Sequence, residues 1–146
     1  MRLYFDTTVL VDIERRRPDA IAFLKHAQAG NHELWISTVT VSEIFTGCNL
    51  RRDAEAAVNR AREVLSQFLW HDLDGEVAVR IGQLAAFLRS HGRPIPYPDV
   101  AIAATALVLG PDLIVTDNTK DFASVPQLAK IVATPKEAAR RIGRVR

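Results

Sequence analysis

Short unbroken apolar runs alternate along this chain with longer stretches in which apolar residues recur every three or four positions. The runs "RLYF" (2–5), "ELWIS" (33–37), "FLWHDL" (68–73), "DLIVTD" (112–117) and "AKIVA" (129–133) predict five strands. Between them the spacing predicts helices. One follows Asp6 to about Arg16, and a second runs from Pro18, which suits a first helical turn, to Gly30, which suits an end. "TVSEIFTG" (40–47) opens a third, and 52–67, rich in Ala, Arg and Glu, is a fourth. Val77, Ile81, Leu84 and Leu88 mark one face of a fifth, stopped by Gly92 and Pro94. A helix over 99–109 carries no charge after Asp99, and a last one runs from Pro135 to about Ile142. Strands separated by helices imply parallel pairing through right-handed crossovers. The expected fold is α/β: a three-layer α/β/α sandwich around a central, mainly parallel sheet of about five strands.

The 146 residues fit one domain, expected to span 1–146, with neither repeat nor linker. The charges at Arg2, Asp6 and Asp12 do not suit a signal peptide, and the apolar run 100–109 is too short to span a bilayer. No membrane association is therefore expected. The single cysteine, Cys48, excludes an internal disulfide framework and suits a cytoplasmic protein. Net charge is +2, with arginines clustered at 15–17, at 51–52 and at Arg140, Arg141, Arg144 and Arg146. Solvated helix faces account for each cluster, and together they are compatible with a polyanionic partner.

The candidate chemistry lies in the acids. Asp6 follows the first strand and could simply cap a helix. Glu43, three residues after Thr40, matches a capping box. Asp99 stands in the first turn of its helix, where the dipole favours negative charge by about 0.3–1 kcal/mol, and "TDNTKD" (116–121) could be a polar turn. Singly, each acid needs no further role. In an open parallel sheet, however, all strand C-termini share one edge, where such folds bind ligands. If the strand order gathers these helix starts, several carboxylates meet. Two such charges about 4 Å apart repel by roughly 4 kcal/mol at an effective dielectric of 20. A hard, oxygen-seeking cation, magnesium or manganese, is the natural compensation. The apolar body of the 99–109 helix would anchor Asp99 rigidly at that crevice, and Pro94, Pro96 and Pro98 stiffen its approach.

At these residues the chain resembles the PIN-domain ribonucleases, specifically the VapC-type toxins of toxin–antitoxin pairs. The matching pieces are "YFDTTVLVD" (4–12), "STVTVSEIFTG" (37–47), "IPYPDVAIAATA" (95–106) and "VTDNTKDF" (115–122), in the family's order and spacing. The resemblance implies that Asp6 and Asp99 are the principal magnesium ligands and Glu43 the third acid. It implies a fourth position within Asp117, Asn118 and Asp121, and there the family's acidic site falls on the neutral Asn118. Thr8 stands where Asn or Ser is more usual. Thr7 and Thr8 are placed to donate hydroxyl hydrogen bonds to the carboxylates or to a phosphate.

The function so implied is magnesium-dependent endonucleolytic cleavage of RNA, with manganese as a substitute ion. The implied partners are RNA, a small VapB-like antitoxin bound along a groove formed partly by the helices between Ala20 and Arg62, and a second copy in a homodimer. Exposed apolar faces on the helices after Glu43 or before His91 could form that dimer. Spacing alone supports metal-assisted phosphoryl chemistry. A dehalogenase-type phosphatase needs an acid where Thr8 stands. No Walker loop, nucleophile elbow or dinucleotide turn is present, and the four histidines lack metal-ligand spacing. The alternatives are a catalytically silent PIN-like binding module, whose acids only cap helices, and a housekeeping RNA-processing nuclease.

Overall fold

The structure, a computed structural model, describes residues 1–143; the basic positions Arg144 and Arg146 lie outside them. Five strands, β1 (Arg2–Phe5), β2 (Glu33–Ser37), β3 (Leu69–His71), β4 (Leu113–Val115) and β5 (Val132–Ala133), form one parallel sheet in the order β3-β2-β1-β4-β5. The eight described helices are α1 (Thr7–Glu14), α2 (Pro18–Ala29), α3 (Thr38–Asn49), α4 (Ala54–Leu65), α5 (Gly75–Ser90), α6 (Tyr97–Leu109), α7 (Thr119–Ala123) and α8 (Pro135–Ile142).

Strand alternation sorts the apolar residues into two cores. Leu3, Phe5, Leu34, Ile36, Leu113, Val115 and Ala133 face one side and pack with residues of α1, α2, α3, α4 and α8. Tyr4, Ile114 and Val132 face the other and pack with α5, α6 and Phe122 of α7. Because side chains alternate with a period of two, a strand covered on both faces reads as an unbroken apolar run. That explains the runs at β1, β2, β4 and β5, though not the edge strand β3, whose Leu69 and Trp70 stay exposed, and it gives the three layers expected from the sequence.

Helix α6 is apolar all round because it is enclosed all round: every residue from Val100 to Ala106 is buried. It ends where Gly110 takes a left-handed conformation (φ 65°, ψ 56°), which a glycine adopts without steric cost, and Pro111 follows. A buried hydroxyl ties α6 to the sheet: Tyr4 Oη donates to the Ile102 carbonyl at 2.8 Å. Burial, and secondarily Asp6, pushes the Tyr4 phenol well above its ordinary range, so it stays a donor. Tyr4→Phe is expected to cost about 1 kcal/mol, read as a lower urea midpoint with an unchanged slope.

Some boundaries differ from those expected. Helix α3 begins at Thr38, with Ser37 accepting from the Val39 amide at 3.0 Å. Glu43 is therefore in the second turn, and the expected capping box at Thr40 is not formed. Segment 116–121 is not only a polar turn, since its second half belongs to α7.

Candidate active site

The strand order decides which helix starts meet. From β1 the chain moves outward to β2 and β3, then returns across to β4 on the other flank of β1. A crevice opens where the direction reverses, above the C-terminal ends of β1 and β4. Asp6 leaves β1 there and Thr116 leaves β4. Beside them β2 delivers the first turns of α3.

Asp6 is almost fully buried, at 2% exposure, and occupies the cap position of α1 without making a side-chain cap bond. Its Oδ2 accepts two hydroxyls instead, from Thr8 at 3.0 Å and from Thr116 at 2.8 Å. Each hydroxyl in turn accepts a backbone amide of the segment after β4. Asp117 N donates to Thr8 Oγ1 at 3.2 Å, and Asn118 N to Thr116 Oγ1 at 2.9 Å. The amides leave each hydroxyl proton free to point at Asp6, so one oxygen is fixed and the other remains available. Glu43 is held comparably: Thr7 Oγ1 donates to its Oε1 at 2.8 Å, and Thr7 Oγ1 lies 3.0 Å from Thr40 Oγ1.

Asp99 lies in the first turn of α6, whose cap position is held by Pro96. Its carboxyl is pushed up to about 6, first by burial and then by the charges of Asp6, Glu43 and Asp121. Four acids from α6, α3, α7 and the end of β1 thus act on one another. Asn118 braces the last of them, its Nδ2 donating to Asp121 Oδ2 at 2.9 Å. Asp117 sits against Asp12. Burial and the adjacent Asp12 carboxyl push it up, the Asp6 charge adds to this, and Arg17 partly offsets them; Arg17 itself pairs with Asp12 at 3.0 Å.

The structure therefore brings Asp6, Glu43, Asp99 and Asp121 together, sets Asn118 beside Asp121, and sets Asp117 against Asp12 while still within reach of the Asp6 charge. Thr116 and Thr40 were not anticipated as parts of this network. Thr116 carried one legible signal, in that it follows β4 as Asp6 follows β1. Thr40 looked like a cap because Glu43 lies three residues after it, whereas the actual cap is Ser37.

The donor set suits a hard divalent cation. Asp6 Oδ1, Glu43 Oε2 and both Asp99 oxygens accept no hydrogen bond from the described residues. No buried side-chain oxygen or nitrogen among those residues lacks a partner, so these free oxygens are the solvent-facing ones. The cluster is loose: among the described residues no three carboxylate, imidazole or thiolate groups already stand ready to share one ion. All-oxygen donors with room for water are the surroundings magnesium and manganese prefer.

Residues 3–128 match the model of a family described as "PIN domain". The chain is 33% identical to ribonuclease VapC19 of Mycobacterium tuberculosis, over 84% of this chain and 94% of that protein. It is 31% identical to ribonuclease VapC1 of Haemophilus influenzae, over 84% of this chain and 91% of that one. In fold it is similar to a chain in the crystal structure of VapBC2 from Rickettsia felis bound to a DNA fragment from its promoter. The TM-score is 0.82 at 24% identity, covering 92% of this chain and 98% of that one.

Proposed function

The chain belongs to the PIN domain family, and we propose that it is an endoribonuclease, the toxin of a toxin–antitoxin pair, whose divalent ion is held by Asp6 and Asp99. The observation that carries this reading is convergence: Asp6 held by Thr8 and Thr116, Glu43 held by Thr7 and Asp121 held by Asn118 all act on Asp99 at the start of α6. Helix capping explains neither the side-chain contacts of Asp6 nor the position of Glu43.

Asp6 and Asp99 would hold the ion through their free oxygens, and Glu43 and Asp121 would hold water or a second ion. Magnesium, or manganese in its place, would lower the pKa of a water and neutralise phosphate charge. Glu43, fixed by Thr7, would orient the attacking water. Asn118 keeps Asp121 turned inward. Asp117, beside Asp12 and Arg17, supports the wall of the crevice. Asp6, almost fully buried, depends on the Thr8 and Thr116 hydroxyls to keep its orientation.

The antitoxin reading draws support from two adjoining grooves, of about 260 and 280 Å³, that share Glu14. One is walled by Ile13, Ile21, Leu24 and Val64 and the other by Val11 and Ile44, and the second reaches Glu43. An antitoxin segment laid along them could place a basic side chain against the acids and block the ion. A homodimer draws support from Val79 and Phe87, which stay exposed on α5. We place this activity in the cytoplasm. Among the described residues no helix is long and apolar enough to cross a membrane.

Cleavage of total RNA by the purified chain tests the reading. Cutting with magnesium or manganese, and none with excess chelator, is expected. Undiminished cutting in chelator would refute the metal-dependent mechanism.

A further inference from the structure

We propose that Tyr97 is a stacking platform for one base of the RNA, a neighbour of the cleaved phosphate, and that Arg93 grips the backbone of the same strand; this rests on the ribonuclease reading above. Helix α6 hides every residue from Val100 to Ala106, yet Tyr97 in its first turn is 64% exposed. No other large aromatic among the described residues is as exposed; Trp70 stands at 47% and Phe87 at 36%. Nothing in the packing of α6 asks for an aromatic ring at that place.

The ring is mounted rigidly. Pro96 is the cap residue of α6, with φ −56° and ψ 147°, and Pro98 follows Tyr97 in the first turn. Both prolines fix φ, so the backbone on either side of the ring is already ordered and little entropy is lost when a base lands on it. Tyr97 precedes Asp99 by two residues. Positions i and i+2 of a helix do not face each other. A base on Tyr97 therefore belongs to a nucleotide beside the one whose phosphate meets Asp99.

The cleft itself repels a polyanion, since four carboxylates gather there, so cations must flank it if a strand is to enter. Arg93 is exposed and takes part in none of the ion pairs among the described residues. It precedes Tyr97 by four residues, a reach of at most about 14 Å. An aromatic face with an unengaged cation four residues along the chain is the combination that sequence-tolerant binding of single strands uses.

The test measures binding of a short single-stranded RNA carrying 2-aminopurine, in the Asp99→Asn background so that the strand stays intact. Adding Tyr97→Ala should weaken binding by about 5- to 150-fold, the equivalent of one stacked base, and should relieve aminopurine quenching. Tyr97→Phe should bind within about twofold of the parent, and Tyr97→Trp should keep the quenching. Arg93→Ala should weaken binding and lower the salt slope by about 0.7, as one lost phosphate contact does on a single strand. Tyr97→Ala in the otherwise wild-type chain should leave manganese affinity unchanged. Parental binding by Tyr97→Ala, or a loss in Tyr97→Phe equal to that in Tyr97→Ala, would overturn the proposal while leaving the ribonuclease reading intact. A wild-type chain that neither binds nor cuts RNA would remove both.

Discussion

Asp99→Asn is expected to lower metal-dependent RNA cleavage by at least about 10³-fold and, at the same time, to make the metal-free protein more stable. The first effect follows from withdrawing one of two principal ligands, since such an ion contributes several kcal/mol to transition-state stabilisation. The second follows from charge crowding. In the unfolded chain the Asp99 carboxyl titrates near 3.8, whereas burial and its three acidic neighbours push it up to about 6 in the fold. Its contribution to stability is therefore best below about pH 4. It deteriorates between about pH 4 and pH 6 and stays poor above that. Partial exposure of the side chain reduces the full linkage value to about 1 kcal/mol. At pH 8 in chelator, Asp99→Asn should melt about 2–4 °C above the wild type, with the gap closing toward pH 4. A pure capping role gives the opposite sign, a loss of about 0.3–1 kcal/mol.

Thr116→Val is expected to have the next largest effect, because it keeps the shape of a fully buried side chain and deletes its hydroxyl. Asp6 Oδ2 loses the 2.8 Å donor, and the Asn118 amide loses the acceptor at 2.9 Å. Removing a hydrogen bond to a buried charge while orphaning an amide should cost about 2–3 kcal/mol in denaturant melts. Groups that orient a metal ligand typically affect activity or affinity by about 10- to 100-fold, and a decrease of that size in cleavage is expected. Thr116→Ser, which keeps the hydroxyl, should recover most of both. A full loss in the serine variant with wild-type behaviour in the valine variant would mean that the methyl packing, and not the bond to Asp6, is what matters.

How far the sequence carried these conclusions depended on the range of the interaction. Strands β1, β2 and β4 and helix α6 were legible because double-sided burial leaves an unbroken apolar signature in Tyr4, Ile36, Ile114 and the residues from Val100 to Ala106. The acids were legible as helix starts after strands. Their meeting was conditional on strand order, which no local pattern encodes and which the parallel pairing of β1 with both β2 and β4 supplies. Short-range competition hid the rest. Ser37 and Thr40 are both plausible caps for one helix, and only the backbone path selects Ser37. Helix α7 has five residues, too few for a helical period to show. Asp117 and Asp121 were indistinguishable in a polar segment. The turn that points Asp117 at Asp12 and Asp121 at Asp99 is set by amide bonds to Thr8 and Thr116, which lie far away in sequence or are themselves ambiguous.

Manganese titration of the folded protein, wild type against Asp99→Asn, tests most directly whether acids remote in sequence share an ion. Saturable binding by the wild type at neutral pH and at least a tenfold loss in the variant are expected, with both proteins equally folded by circular dichroism. Identical isotherms for the two proteins would contradict a shared ion.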